Sequence, residues 1–288
     1  MRVLFVHGRS QEHNNPETLK AKWLEALNNG LNKAGLALPA GVVFDFPFYG
    51  DRLDHFVRQF ELPADPAIAP KGSPAFDEYA EFRRQIANEM RLRVGISDAE
   101  VQAQLGSAPA EKGLQNWKWV QAIVRLIDRR ITTISQGTIE VFMRDVFLYT
   151  QRDSVRNAID SIVADLLAQE TSVVVGHSLG SVVAYNVLKA RFTPLPAYVT
   201  VGSPLAIRAI RKSVTPISNP FGINGWYNAY DPRDIVSLYP LDTNNFDVDP
   251  SIINIGTVNN YTDNRHGITG YLDDANVAKA IWLGLHRV

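Results

Sequence analysis

Short, predominantly apolar runs alternate with amphipathic stretches over much of the chain. Residues 3–6, 42–46, 172–175, 198–201, 226–230 and 252–255 form such runs, as expected of strands covered on both faces in a parallel sheet. Between them, apolar residues recur at helical spacing. Leu19, Trp23, Leu27 and Leu31 make one stripe, with Asn15 as its cap, Pro16 at the first helical position and Gly35 at its close. A second helix is expected from Asp153 or Ser154, carrying Val155, Ile159, Ile162, Val163 and Leu166. A last one is expected from about Gly270, with Val277, Ala280, Ile281 and Leu285 inward. This alternation predicts an α/β domain with a mostly parallel central sheet and helices on both faces.

The rhythm breaks in the middle. From about Asp51 to Thr150 no strand pattern appears. A Pro/Ala-rich stretch, residues 62–74, precedes helical patterns. Phe76, Tyr79, Arg83, Ile86 and Met90 share one face. Ser97 and Glu100 have the spacing of a capping box, and Trp117, Val120, Val124 and Ile127 mark a further helix. The expected organisation is a core of residues 1–50 and 151–288, interrupted by a predominantly helical cap or lid at 51–150. Long insertions of this kind often serve a site. Phe76, Phe82, Trp117, Trp119 and Phe142 either line an apolar pocket or form the insertion's own core.

Composition narrows the class. With 288 residues, 45% of them hydrophobic and 20% charged, the chain can bury a large core. A net charge of −1 argues against nucleic acid as a partner. The absence of cysteine excludes disulfides and thiolate metal sites. No stretch approaches the ~20 apolar residues of a membrane span, and the first residues lack the pattern of a secretory leader. A cytoplasmic protein is expected.

The chemistry centres on Gly176-His177-Ser178-Leu179-Gly180, between an apolar strand and an apolar helical stretch. A serine at a sharp strand-to-helix turn projects its hydroxyl above the sheet, and glycines on either side leave room for that turn. The helix that follows directs its amides and positive dipole end toward the site. The serine needs a base, and in folds with this turn the acid and then the histidine follow it in the chain. Of six histidines, only His266 and His286 come after Ser178. His266 lies in a polar loop before the last helix, whereas His286 is almost at the C-terminus. Between serine and histidine no glutamate occurs. Asp231 and Asp234 both follow the run at 226–230, and either satisfies the need for a rigid acid at a strand end. Two amides are needed for a developing oxyanion: Leu179 supplies one, and the Gly8-Arg9 turn after the first strand supplies the other. The Gly176–Gly180 turn lacks the lysine and spacing of a phosphate-binding loop.

Together these pieces resemble the α/β-hydrolase superfamily, on its lipase and esterase side. The resemblance is carried by FVHGRS at 5–10, VVVGHSLGS at 173–181, VTVGSPL at 199–205, DPRDIVSLYP at 231–240 and NRHG at 264–267. It covers the core segments and is silent on the insertion. In lipase-like members an aspartate followed by two aliphatic residues is the acid, which favours Asp234-Ile235-Val236 over Asp231. Many members have a hairpin before the strand matched here by residues 3–6, so the sheet is expected to be short on that edge. The resemblance implies a fold of that type and hydrolysis of a carboxylic ester, in a small molecule or an acyl lipid. It implies Ser178, His266 and Asp234 as the triad and no cofactor or metal. An acyltransferase or thioesterase would use the same residues, and a non-catalytic binding module can sit on the same scaffold.

Overall fold

The apolar runs become strands because, buried on both faces, they satisfy their backbone only by pairing with one another. The protein was described from a computed structural model, which covers residues 1–9, 11, 13–60, 74–106, 112–131, 136–168, 170–191, 194–220 and 222–287. Among these residues the strands are β1 (Arg2–Val6), β2 (Val43–Asp45), β3 (Thr171–His177), β4 (Ala197–Val201), β5 (Trp226–Ala229) and β6 (Ile253–Ile255). They form one sheet in the order β2-β1-β3-β4-β5-β6, with every pairing parallel. The outer neighbour of β1 is β2.

Alternate side chains of the central strands feed two cores. Val3, Phe5, Val173, Val175 and Val199 face α1 (Pro16–Lys33), α10 (Ile268–Leu272) and α11 (Ala275–His286). Leu4, Val6, Val174 and Tyr198 face the opposite layer, which includes α7 (Asp153–Leu166) and α8 (Leu179–Ala190). The α1 signals act as read: Asn15 accepts from the Thr18 amide, and Gly35 follows the helix at φ 68°. The single last helix expected from Gly270 is instead two, α10 and α11. Asp274 breaks it, because its carboxylate caps α11 by accepting from the amides of Asn276 and Val277 at 2.8 and 3.2 Å.

Between β2 and β3 the described residues contain no strand. They form α2 (Gly50–Gln59), α3 (Pro74–Val94), α4 (Asp98–Leu105), α5 (Lys112–Arg130) and α6 (Gln136–Gln151) before α7. Ser97 and Glu100 make the capping box of α4. The Pro/Ala-rich residues 62–73 and the side chain of Phe76 lie outside the described residues. These helices do not enclose a core of their own. Ile86, Met90, Trp117, Ile123 and Phe147 are continuous with Leu4, Val6 and Val183 in one apolar cluster. The insertion is therefore a layer fused to one face of the sheet. No helix among the described residues is long and apolar enough to cross a membrane.

Candidate active site

A parallel sheet delivers its strand-to-helix loops along one edge. The chain leaves β1 toward β2 on one side, and β3 lies on the other, so adjacent loops diverge there and leave a crevice. Ser178 follows β3 and Gly8 follows β1, which puts both at that crevice. An added Cβ at Gly8 would lie 3.0 Å from the Ser178 Cβ, so this approach needs a residue without a side chain.

Ser178 has φ 53° and ψ −128°. A non-glycine residue holds such a conformation at a cost of about 1–3 kcal/mol, and only where its surroundings fix it. Here the Ser178 amide donates to the Val201 carbonyl at 3.1 Å. The Ser178 carbonyl accepts from the Ser181 amide at 2.9 Å and from the Ser181 hydroxyl at 2.6 Å. Gly180 lets α8 abut the end of β1, since a Cβ there would be 2.3 Å from the carbonyl oxygens of Val6 and His7. Leu179 is the first residue of α8, so its amide has no acceptor within the helix.

Ser178 Oγ lies 2.8 Å from His266 Nε2, and His266 Nδ1 lies 2.7 Å from Asp234 Oδ2. Because the carboxylate accepts, Nδ1 carries the proton and Nε2 is left to accept from the serine hydroxyl. Ser178, His266 and Asp234 are buried, at 1%, 7% and 2% exposed. Asp234 is fixed twice more: Oδ1 accepts from the Val236 amide at 2.8 Å, and Oδ2 accepts from the Tyr271 hydroxyl at 2.6 Å.

Asp231 is not at the imidazole. Its buried carboxylate accepts from the Arg233 amide at 2.9 Å, Arg233 Nε at 3.2 Å and the Asn260 amide at 2.9 Å. It ties the loop after β5 to the loop after β6. His286 is exposed and stacks on Trp282, away from the site.

Sequence reasoning missed three supports. His177 donates from Nε2 to the His266 carbonyl at 2.8 Å. Burial first, and then the neighbouring His266, pull the pKa of His177 down to about 3, so it braces the loop as a neutral ring. Tyr271 steadies Asp234 from α10. His7 joins the first loop to α2: Nδ1 donates to the Gly8 carbonyl at 2.6 Å, and Nε2 accepts from the Tyr49 amide at 3.0 Å. The Tyr49 hydroxyl donates to the His7 carbonyl, and the two rings stack at 4.0 Å. Burial lowers the pKa of His7 to about 4. Arg9 turns its side chain to the insertion, donating to the Thr138 carbonyl at 2.8 Å. His177 had a sequence signal in its place inside the glycine turn, and His7 in the FVHGRS segment, though not for its tie to Tyr49. The contacts of Tyr271 with Asp234 and of His7 with Tyr49 act across 37 and 42 residues of chain, which no local pattern encodes.

Met90, Ile139, Phe142 and Ile235 surround a recess beside His266 of about 10 Å³, the least that holds a water molecule. Of the aromatic residues expected at a pocket, Phe142 lines this recess. Phe82 and Trp117 are buried in the large apolar core, and Trp119 packs half-buried against it. Among the described residues no three His, Asp or Glu side chains converge on a metal position.

A neutral imidazole on a serine hydroxyl, with a carboxylate fixing its tautomer, is an arrangement that raises serine nucleophilicity. No family model, curated protein or solved structure matches the chain.

Proposed function

We propose that this protein is a serine hydrolase of the α/β-hydrolase type that cleaves carboxylic esters through an acyl-enzyme. The observation that carries the reading is the unbroken hydrogen-bond chain from Ser178 Oγ through His266 to Asp234, at 2.8 and 2.7 Å, on a serine held at positive φ. In this reading Ser178 Oγ bonds to the ester carbonyl carbon as its proton passes to His266 Nε2. The tetrahedral oxyanion is met by the amide of Leu179 and one from the Gly8-Arg9 turn, each contributing about 3 kcal/mol to the transition state. Collapse expels the alcohol, which takes the proton from His266. Water then attacks the acyl carbon, returns a proton through His266 and frees Ser178.

The insertion, residues 51–150, serves as the cap. This is supported by the recess beside His266, to which α3 contributes Met90 and α6 contributes Ile139 and Phe142. The apolar lining suits an acyl chain. With so little free volume, side chains lining the recess have to move to admit one.

The test is labelling of the whole protein with a fluorophosphonate and with the smaller diisopropyl fluorophosphate, followed by mapping of the adduct. The expected result is one adduct at Ser178, absent from Ser178→Ala. Failure of both reagents to label folded protein would overturn the reading. Hydrolysis of esters against transfer to alcohols or thiols is then read from the products.

A further inference from the structure

A second cavity beside the site is not apolar throughout. It has a volume of about 540 Å³ and opens beside Asp234, within the range of small-molecule sites. Four guanidinium groups line it: Arg93 on α3, Arg130 at the end of α5, Arg233 after β5 and Arg265 before α10. Ile131, Ile235 and Leu238 supply its apolar wall. Ile235 also lines the recess at His266, so the two spaces share a wall.

These arginines come from both sides of a seam, two from the insertion and two from the sheet core. Like charges brought together across a seam repel unless something neutralises them. Internal partners do so only in part. Arg130 is held by Glu100 at 2.6 Å and by the Gly95 carbonyl at 2.8 Å. Arg233 pairs with Asp231, and the same carboxylate lies 3.8 Å from Arg265. Among the described residues Arg265 otherwise reaches only the Asn260 carbonyl, at 3.4 Å. Arg93 is exposed and has no hydrogen-bonded or ionic partner among the described residues. Two forks lining one cavity, Arg93 from the insertion and Arg265 from the core, thus keep most of their donors without a partner among the described residues.

We propose that this cavity binds the anionic end of a single-chain amphiphile, a phosphate or carboxylate head held between Arg93 and Arg265 with its chain against Ile235 and Leu238. Planar guanidinium forks suit both oxyanions, and a polar rim with an apolar wall selects an amphiphile over a free ion. The role of this site as the headgroup pocket of the substrate rests on the hydrolase reading above; its existence as a binding site does not. An anion there bridges insertion and core, so its arrival also bears on the seam over Ser178.

The experiment is calorimetric titration of the full chain with octyl phosphate, octyl glucoside and inorganic phosphate. Octyl phosphate should bind once per chain, at least about tenfold more tightly than either of the others. Arg93→Glu should weaken octyl phosphate by about tenfold or more and leave octyl glucoside unchanged, with an unaltered melting temperature because Arg93 is exposed. Equal binding of octyl phosphate and octyl glucoside, or indifference to Arg93→Glu, overturns the proposal. Inorganic phosphate binding as tightly as octyl phosphate overturns it too, since the chain would then contribute nothing. Fluorophosphonate labelling of the same samples separates the two readings. Labelling of Ser178 without selective octyl phosphate binding removes the headgroup site alone. Selective binding without labelling removes the hydrolase reading alone.

Discussion

Asp231 and Asp234 lie three residues apart, are equally removed from water, and hold different partners. Asp234 meets the imidazole, while Asp231 meets two backbone amides and a guanidinium that join two loops. Their replacements should therefore separate activity from stability. Asp234→Asn should lower turnover about 10⁴-fold, because the imidazole loses the acceptor that fixes its tautomer. Asp231→Ala should cost about 3 kcal/mol of stability, because it leaves buried donors unpaired. Steady-state kinetics and urea unfolding of both variants check this, and matching effects on turnover would contradict it. From sequence alone the two aspartates were equivalent strand-end acids, and only a resemblance chose between them. The serine and His266 were legible because a motif and chain order mark them. Tyr271 and His7 were not, since their roles arise when remote segments meet.

Among the elements, helix α8 shows how a single hydrogen atom sets packing. Its second residue, Gly180, touches the carbonyls that end β1. Gly180→Ala would force the helix away from the strand, carrying Ser178 with it. The expected result is loss of several kcal/mol in urea unfolding together with loss of Ser178 labelling, since overpacking against rigid backbone cannot be absorbed by a rotamer change. A variant that melts and labels like the native chain would show that the junction is slack. Most strands and the first helix were readable because each has one clear pattern and a recognisable cap. Helix α6 was not singled out because residues such as Phe142, Val146, Leu148 and Tyr149 are buried around much of its circumference, which erases the one-sided stripe. The break between α10 and α11 was missed because Asp274 reads equally well as a solvated helix residue or as a cap.

For the whole molecule, class was legible and arrangement was not: alternating apolar runs give an α/β fold, but nothing local says that β1 sits between β2 and β3. Nor does the pattern of the insertion show that it shares a core with the sheet. One global property follows from the neutral histidine His7, 1% exposed, whose pKa falls to about 4 from an ordinary 6.5. Above pH 6.5 its contribution to stability is complete. As pH falls from 6.5 toward 4 the unfolded chain takes up a proton that the folded chain refuses, so stability declines, by about 2 kcal/mol at pH 5. His7→Gln should remove about 2 kcal/mol of the loss seen in urea unfolding between pH 7.5 and pH 5 and leave the share of His177, whose pKa falls to about 3; an unchanged slope would count against it. The place of β1 in the sheet has a further consequence while the chain is being made. Its inner partner β3 begins at Thr171, far downstream of Val6. At translation rates of roughly 5–20 residues per second, β1 waits on the order of ten seconds or more for that partner to be synthesised. Through that interval an apolar strand with an open edge trails from the ribosome, a state that invites pairing with other nascent chains.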